Sequence, residues 1–252
     1  MMLITSKNNP LIKETAYLKD KKGRKEHRLF LVEGIKMTAE CQKSALEIER
    51  IFLAERLVND GVSSLDKQEK TVLVSDDVLR FLSDEKTPQG VLCRVKIPDT
   101  TPKAPTGSCV VLDGVADPGN VGTIIRTANA AGYNDVYLTS DCADVFSPKC
   151  VRASMSGVFF TNIHIGTREE IFKALGDTPI IVADMNGQNA FSFPSPKNFA
   201  LVIGNEANGI SEETAKKASF TVKIPMRETQ ESLNAGVSAG ILMYLLKKET
   251  FL

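Results

Sequence analysis

The chain has 252 residues, of which 42% are hydrophobic and 25% charged, so it can bury a sizeable core and is not disordered as a whole. Lysine plus arginine number 31, as do aspartate plus glutamate, so no overall charge points to nucleic acid or to a membrane surface. Five cysteines without a C-x-x-C pair and only two histidines argue against a structural zinc site and favour free thiols in a reducing cytoplasm.

The N-terminal segment lacks the apolar core of a signal peptide, and no later run approaches a membrane span. We therefore expect a cytoplasmic protein without membrane contact.

The N-terminal segment also carries the main charge asymmetry of the chain. Residues 1–36 contain nine basic and four acidic side chains, a local excess that attracts phosphate groups. A solvated helix face explains the same pattern and is favoured when the segment is taken alone.

The first hundred residues alternate between predicted helices and strands. The elements are predicted at Pro10–Lys22 (helix), Leu29–Glu33 (strand), Ile35–Ser44 (helix), Ile48–Ala54 and Val72–Val74 (strands), Asp76–Leu82 (helix) and Val91–Ile97 (strand). Proline, threonine and glycine then dominate, which is typical of a linker. We therefore predict a small α/β domain over residues 1–100, a linker over 101–108 and a second domain over 109–252.

The second domain opens with a predicted strand at Cys109–Leu112 and a glycine-rich turn into a helix. Asn120 is predicted to cap a helix over Val121–Ala131, which ends at Gly132. A glycine-lined turn before a helix attracts phosphate, although this one is neither G-x-G-x-x-G nor a Walker loop. Asn120 and Arg126 suit such a site, and a capped helix with an arginine reaching solvent explains them equally well.

Further strands and helices alternate, which predicts a mostly parallel sheet covered on both faces. The strands are predicted at Val136–Leu138, Asn162–Ile165, Ile180–Ala183, Ala200–Ile203 and Phe220–Ile224, with helices after Pro148 and at Glu169–Leu175. His164 lies in a strand without an acid or a cysteine nearby in sequence, so we interpret it as structural rather than as a ligand or base. Ligands bind outside the carboxyl ends of parallel strands, so loops 204–210 and 225–232 are the first candidates for a site.

Conventional catalytic motifs are absent from the sequence: there is no G-x-S-x-G, no H-E-x-x-H and no kinase signature. The polar residues at predicted strand ends, loops and first helical turns are Asn120, Arg126, Glu206, Asn208, Ser232 and Asn234. A site built from such groups suits binding, alignment and charge placement better than hydrolysis. We interpret Asn208 as a turn residue and Ser232, taken alone, as a helix N-cap.

Three blocks of the second domain resemble the motifs of a known family. They are DPGNVGTIIRTANAAG, LVIGNEANGIS and IPMRETQESLNAGVSAGILMYLL, and SPKCVRASMSGVFF is similar to the family's segment between the first two. Together they resemble the SpoU/TrmH family of RNA 2'-O-ribose methyltransferases, within the SPOUT class, over residues 109–247. The segment NPLIKETAYLKDKKGRKEHRLFLVEG is similar to that family's small RNA-substrate-binding domain.

The resemblance implies a fold, a cofactor and a partner. The fold is an α/β domain whose parallel sheet is covered by helices and contains a deep trefoil knot, preceded by a small α/β substrate-binding domain. The knot binds S-adenosylmethionine (AdoMet), with contacts carried over onto Gly204, Ile224 and Leu233, and no metal ion is expected. Glycine permits a close backbone approach, and the other two offer apolar walls and amide groups for adenine. A homodimer with the site near its interface is also implied.

The resemblance places the catalytic arginine at Arg126, with Asn120, Glu206, Ser232 and Asn234 as companions. The family proposal makes this arginine the general base, assisted by the RNA phosphate. Since a guanidinium pKa lies above about 12, deprotonating Arg126 would cost much free energy. We therefore favour an electrostatic role, in which Arg126 holds the phosphate and stabilises the developing alkoxide.

Small residues at Gly236 and Gly240 depart from the valine or alanine usual in the family, and they favour close helix packing.

From the resemblance we expect an RNA 2'-O-methyltransferase. Ribosomal RNA is favoured over transfer RNA because a substrate-binding domain precedes the catalytic one. Two other hypotheses remain. One is an RNA-binding protein of the same fold without turnover, and the other is a dinucleotide-dependent enzyme, which the lack of G-x-G-x-x-G disfavours.

Overall fold

The structure is a computed structural model that describes residues 3–58, 70–230 and 232–248. Its strands are β1 (Leu3–Ile4), β2 (Leu29–Glu33), β3 (Ile48–Ala54), β4 (Thr71–Val74), β5 (Val91–Lys96), β6 (Cys109–Asp113), β7 (Asp135–Thr139), β8 (Asn162–Gly166), β9 (Ile180–Asn189), β10 (Ala200–Gly204) and β11 (Phe220–Lys223). Its α-helices are α1 (Pro10–Tyr17), α2 (Lys21–His27), α3 (Ile35–Lys43), α4 (Asp76–Leu82), α5 (Pro118–Ala130), α6 (Pro148–Ser154), α7 (Gly157–Phe160), α8 (Arg168–Leu175), α9 (Glu212–Ala215) and α10 (Ala235–Leu246).

The chain divides into two compact units. Met1–Pro98 and Phe146–Phe159 form the first, and Asp99–Val145 and Phe160–Leu252 form the second. The sequence placed residues 146–159 in the later domain, whereas their contacts lie with the first unit. Within that unit the ring centroids of Phe146 and Phe30 are 5.0 Å apart, and the guanidinium of Arg152 pairs at 2.9 Å with both Asp84 and Glu85. Among the described residues, no helix is long and apolar enough to span a bilayer.

The first unit is built on a five-stranded mixed sheet of order β1-β4-β3-β5-β2. The strand pairs β1–β4 and β3–β4 are parallel, and both pairs that include β5 are antiparallel. Apolar side chains of α1 and α4 pack on one face of the sheet, which explains why these short helices are stable. The predicted α/β character of this half is confirmed.

The predicted single helix over Pro10–Lys22 is wrong, because the chain breaks between α1 and α2. The amides of Leu18, Lys19 and Asp20 bond to carbonyls only three residues back, which tightens and ends α1. Gly23 then lies so close to α1 that a Cβ at this position would be 2.2 Å from the Tyr17 carbonyl oxygen. Only glycine allows this approach, so the two helices meet at a sharp corner.

The second unit contains a six-stranded sheet of order β11-β9-β10-β6-β7-β8, in which every neighbouring pair is parallel. The predicted parallel sheet is therefore confirmed. Strands β6 and β7 are buried along their whole length, as expected for strands with both faces covered. The register pairs Gly204 with Asp113, so β10 and β6 end side by side and their loops leave the sheet together.

Two minor predictions for this unit are also confirmed. His164 is 5% exposed, and its ring lies between Asp135 Oδ1 at 3.1 Å and the Thr101 carbonyl at 3.2 Å, which is a structural environment. All five cysteines are free and buried.

Candidate active site

Helix α5 begins three residues earlier than the sequence predicted, at Pro118. Asp117 is its N-cap, and the Oδ1 atom of Asp117 accepts a 3.0 Å hydrogen bond from the backbone amide of Asn120. The prediction that Asn120 caps this helix is therefore wrong. Proline suits the first helical position because it lacks an amide that would need a partner. The side chain of Asn120 is consequently free of capping and points to groups outside the helix.

The loop after β10 is a tight, closed turn. The backbones of Asn205 and Gly209 exchange hydrogen bonds of 2.8 and 2.9 Å, and Oδ1 of Asn205 accepts from the amides of Ala207 and Asn208. Asn208 is thus a turn residue, as predicted. A Cβ at Gly204 would lie 2.4 Å from the carbonyl carbon of Gly209, so the turn can fold back only over a glycine.

The turn places Glu206 opposite the start of α5. Its Oε2 accepts from the amide of Ala116 at 3.1 Å, and its Oε1 accepts from the amide of Asp117 at 3.2 Å and from Nδ2 of Asn120 at 2.8 Å. Partial burial alone would raise the pKa of Glu206, but the hydrogen bonds from Asn120 and the two amides outweigh it, so the pKa lies below its usual value. Glu206 is therefore an anionic acceptor at neutral pH and is not poised as an acid.

Asn234 extends the same hydrogen-bonded chain from the third motif. Its Nδ2 donates to Oδ1 of Asn120 at 2.9 Å, and its Oδ1 accepts from the amides of Gly236 and Val237 at 2.9 and 3.2 Å. Asn234 is thus the N-cap of α10, and the interpretation of Ser232 as that cap is wrong. Since each amide oxygen and nitrogen has a partner of the right kind, the orientations of both asparagines are determined.

The catalytic candidate Ser232 and the predicted cofactor contacts Ile224 and Leu233 lie between β11 and α10. Ser232 is exposed, and its carbonyl accepts a 2.7 Å hydrogen bond from the side chain of Gln230. Ile224 follows β11 directly, Leu233 precedes Asn234, and both are half-buried. Within the described residues, no side-chain hydrogen bond connects Ser232 to Glu206, Asn120 or Asn234.

Arg126 is exposed on α5, between the residues on which α10 packs. A Cβ on Gly236 would lie 3.0 Å from Cγ2 of Thr123, and one on Gly240 would lie 3.6 Å from Cγ2 of Thr127, which confirms that the small residues of α10 permit close packing. In the described part of the chain, no hydrogen bond or ion pair engages the guanidinium. Arg126 is therefore not held by the Glu206–Asn120–Asn234 chain and is accessible to an external anion.

Sequence reasoning missed a buried ionic cluster beneath these loops. Asp113, 1% exposed at the end of β6, accepts from Arg168 Nε at 2.7 Å and from the amide and hydroxyl of Ser211 at 2.9 and 2.8 Å. Arg168 also pairs with Asp141 at 2.8 Å, and Asn205 Nδ2 donates to the carbonyl of Gly114 at 2.7 Å. These contacts join the loops after β6, β7 and β10.

A signal for the cluster was present in part. An aspartate at the end of an apolar strand requires a buried partner, so Asp113 could have been singled out. Its partner Arg168 lies 55 positions away, and no local spacing identifies it. Among the residues that the structure describes, no group of three or more acidic, histidine or cysteine side chains is arranged to hold a metal ion.

Known proteins resemble this chain along its length. Residues 107–244 match the SpoU rRNA Methylase family, and residues 9–93 match the MRM3-like substrate binding domain. The 23S rRNA (guanosine(2553)-2'-O)-methyltransferase RlmP of Bacillus subtilis (strain 168) is 30% identical over 98% of this chain and 100% of its own length. A 23S rRNA (uridine(2479)-2'-O)-methyltransferase of Streptomyces viridochromogenes is 28% identical, over 96% of this chain and 90% of its own.

A solved structure shares the fold. The AdoMet-bound rRNA methyltransferase from Sinorhizobium meliloti superimposes with a TM-score of 0.86 at 28% identity, covering 98% of both chains. The match to the family spans more than half of the sequence and includes the three blocks that meet at Asn120, Glu206 and Asn234. The chain therefore belongs to the SpoU rRNA Methylase family, as its sequence resemblance predicted.

Proposed function

We propose that this protein transfers a methyl group from AdoMet to a ribose 2'-hydroxyl of ribosomal RNA. The observation that carries the proposal is the hydrogen-bonded chain Glu206–Asn120–Asn234, which joins residues from three separated motifs at the carboxyl edge of a parallel sheet. Relatives that match over nearly the whole chain are named as 2'-O-methyltransferases of 23S rRNA, which favours ribosomal over transfer RNA as the substrate.

The residues assigned to the cofactor fit AdoMet in their chemistry. The ligand has an apolar purine and several polar groups, and it is bound in the related Sinorhizobium meliloti structure. Half-buried Ile224 and Leu233 suit the purine, and Gly204 ends β10 where the turn begins. AdoMet supplies an electrophilic methyl group on a sulfonium. The chain itself supplies the apolar walls and the backbone groups around it.

Arg126 takes the role of substrate clamp and charge stabiliser. Its guanidinium is exposed and has no anionic partner in the described part of the chain, so it can hold the RNA phosphate beside the reacting ribose. A fixed positive charge there also stabilises the alkoxide that develops as the 2'-hydroxyl releases its proton to water during attack on the methyl carbon. Glu206, Asn120 and Asn234 position the loops around the ribose, and Ser232 offers a hydroxyl from the exposed loop before α10.

The finer features expected from the family belong to the same proposal. The C-terminal chain forms a deep trefoil knot, a topology consistent with α10 packing on α5 and β10 after the chain has left the sheet at its edge strand β11. The protein acts in the cytoplasm. Its proposed domains are a substrate-binding domain at 1–100, a linker at 101–108 and a methyltransferase domain at 109–252, of which residues 146–159 group with the first unit.

A homodimer is the proposed assembly. Helix α10 exposes Val237 and Tyr244, which are 51% and 44% accessible and lie seven residues apart on one face. Large apolar side chains in this arrangement favour burial against a second copy. Light scattering during size-exclusion chromatography tests this assembly directly, and a monomeric mass at micromolar concentration would contradict it.

Transfer of tritium from methyl-labelled AdoMet tests the activity. Acceptors are deproteinised ribosomal RNA and transfer RNA from cells that lack the protein, and label in a 2'-O-methylated nucleotide of the ribosomal RNA is the expected result. Label only in transfer RNA would correct the substrate. RNA binding without label would favour an RNA-binding protein without turnover, and binding of a dinucleotide instead of AdoMet would favour the third hypothesis.

A further inference from the structure

A strongly cationic segment lies in the first unit. Residues 7–28 contain eight basic and three acidic side chains, whereas the whole chain has equal numbers of each. The rest of the protein is therefore acidic on balance, and this segment is its main source of positive field. Such a local field attracts the phosphates of a nucleic acid even when the protein is neutral overall.

An exposed aromatic ring lies within this segment's reach. Phe81, on α4, is 39% exposed, a large fraction for a phenylalanine next to a packed core. The Nζ atoms of Lys7 and Lys19, which precede and follow α1, are each 5.9 Å from the ring centroid. Lys19 also donates to the carbonyls of Phe81 and Ser83 at 2.7 and 2.8 Å, which holds its ammonium group over one part of the ring.

Helix α2 continues the positive surface beyond Lys19. Lys21, Lys22 and Lys25 are exposed, and in the described part of the chain none of them forms an ion pair. Arg24, in contrast, is buried and donates to the carbonyls of Leu18 and Lys19. One cation of this helix thus holds the fold together, and the three lysines are available to an external anion.

We propose that these residues form an RNA-docking surface, the Phe81 platform, which consists of Phe81, Lys7, Lys19, Lys21, Lys22 and Lys25. An unpaired base of the substrate RNA stacks on the ring of Phe81, and the lysines contact the phosphates on either side. Aromatic side chains combined with a positive track are how proteins hold single-stranded RNA, because every base has a face that stacks. This inference rests on the proposed function and names residues of the first unit that hold the substrate RNA. The excess of basic residues over 7–28, together with three exposed lysines that form no ion pair in the described part of the chain, favours RNA over a protein as the occupant.

The ring is tested by Phe81→Leu and Phe81→Tyr in the full-length protein. Loss of one base stack weakens binding of deproteinised ribosomal RNA by about 5- to 150-fold, so Phe81→Leu should raise the RNA Kd and KM by this factor with kcat nearly unchanged. Phe81→Tyr keeps the stacking face and should restore binding. AdoMet affinity and the unfolding midpoint serve as checks that both variants are folded.

The lysines are tested by their contribution to the salt dependence of binding. Replacing Lys21, Lys22 and Lys25 together by glutamine should reduce the slope of log Kd against log salt by about 2 to 3. The control replaces Lys173, Lys216 and Lys217, which are exposed in the second unit, by glutamine, so that the same charge is removed. That control should retain most of the slope.

The outcomes separate this inference from the proposed function. If the wild type methylates ribosomal RNA but the Phe81→Leu and triple-lysine variants keep its Kd and salt slope, the platform is wrong and the function stands. The platform is also wrong if these variants bind intact ribosomal particles more weakly than the wild type but bind deproteinised RNA equally well, because the surface would then dock a protein. If the wild type neither binds nor methylates RNA, both proposals fail.

Discussion

The side-chain amide of Asn234 donates a 2.9 Å hydrogen bond to the side-chain oxygen of Asn120, although the two residues are 114 positions apart. The same two side chains also engage Glu206 and the first turn of α10. Two helix starts and one strand-end turn are thereby held in one geometry. The loops around the proposed ribose site are consequently positioned before any ligand binds, which is the condition for catalysis by alignment.

Asn234→Asp tests the link between the two asparagines. Aspartate is as good an N-cap as asparagine, so α10 should keep its stability, but the donor to Asn120 is lost. We expect methyl transfer to fall at least about tenfold, since misplacement by even 1 Å is costly in a site that acts by alignment. Asn234→Ala should lose about 1 kcal/mol of stability in addition, because the cap is also removed. Equal activity of wild type and Asn234→Asp would contradict the positioning role.

Arg126→Ala tests the assignment of the guanidinium to the substrate. Loss of a preorganised charge at the reacting oxygen should reduce kcat by about 10²-fold or more, while the Kd for AdoMet stays nearly constant. Asn129→Ala is the matched control, because Asn129 is exposed on the same helix one turn later. A folded Arg126→Ala protein that has lost AdoMet binding would instead make Arg126 a cofactor residue.

Gly204→Ala tests the close approach within the turn after β10. The added Cβ would meet the carbonyl carbon of Gly209 at 2.4 Å and its oxygen at 2.5 Å, so the backbone must shift. We expect a loss of about 1 to 3 kcal/mol in urea unfolding, together with weaker AdoMet binding. Gly107→Ala is the control, since a Cβ there would meet nothing within 4 Å and should leave both quantities unchanged.

Glu206→Gln tests the hydrogen bonds that lower the pKa of this carboxylate. A carboxylate whose folded pKa lies below its usual 4.5 contributes stability above that value, and the contribution is lost as the pH falls through the folded pKa. The difference in unfolding free energy between wild type and Glu206→Gln should therefore be constant near neutral pH and shrink below pH 4.5. Urea titrations across this pH range measure the difference in unfolding free energy. A difference that does not change with pH would show that folding does not lower the pKa of Glu206.

Arg168→Met tests the buried cluster that sequence reasoning missed. The side chain of Asp113 is fully buried, and removing its cation leaves an uncompensated charge, which typically costs about 3 to 5 kcal/mol. Asp113→Asn combined with Arg168→Met should cost less than the sum of the single changes, because no charge is then left unpaired. Additive free energies in this double-mutant cycle would rule out direct coupling between the pair.

By itself, the sequence determined the type and order of most of the elements in the described residues, although β1, α7 and α9 were not predicted and α2 was not separated from α1. Hydrophobic periodicity and turn residues are local signals, so β2, β3 and α4 begin and end where they were predicted. The three motif blocks likewise identified the family without a structure. The local signals were less reliable at helix starts, where Asp117 and Asn234 are the caps instead of Asn120 and Ser232.

Only the tertiary structure decided which of the polar residues meet. Glu206 contacts Asn120 across 86 positions and Asp113 contacts Ser211 across 98, and no periodic pattern in the sequence predicts either pair. Strand order sets such contacts, because β6 and β10 are neighbours in the sheet although they are far apart in the chain. The sequence therefore predicted candidate residues for the site. The hydrogen bonds that position them depend on which strands are neighbours in the sheet, and only the tertiary structure shows this.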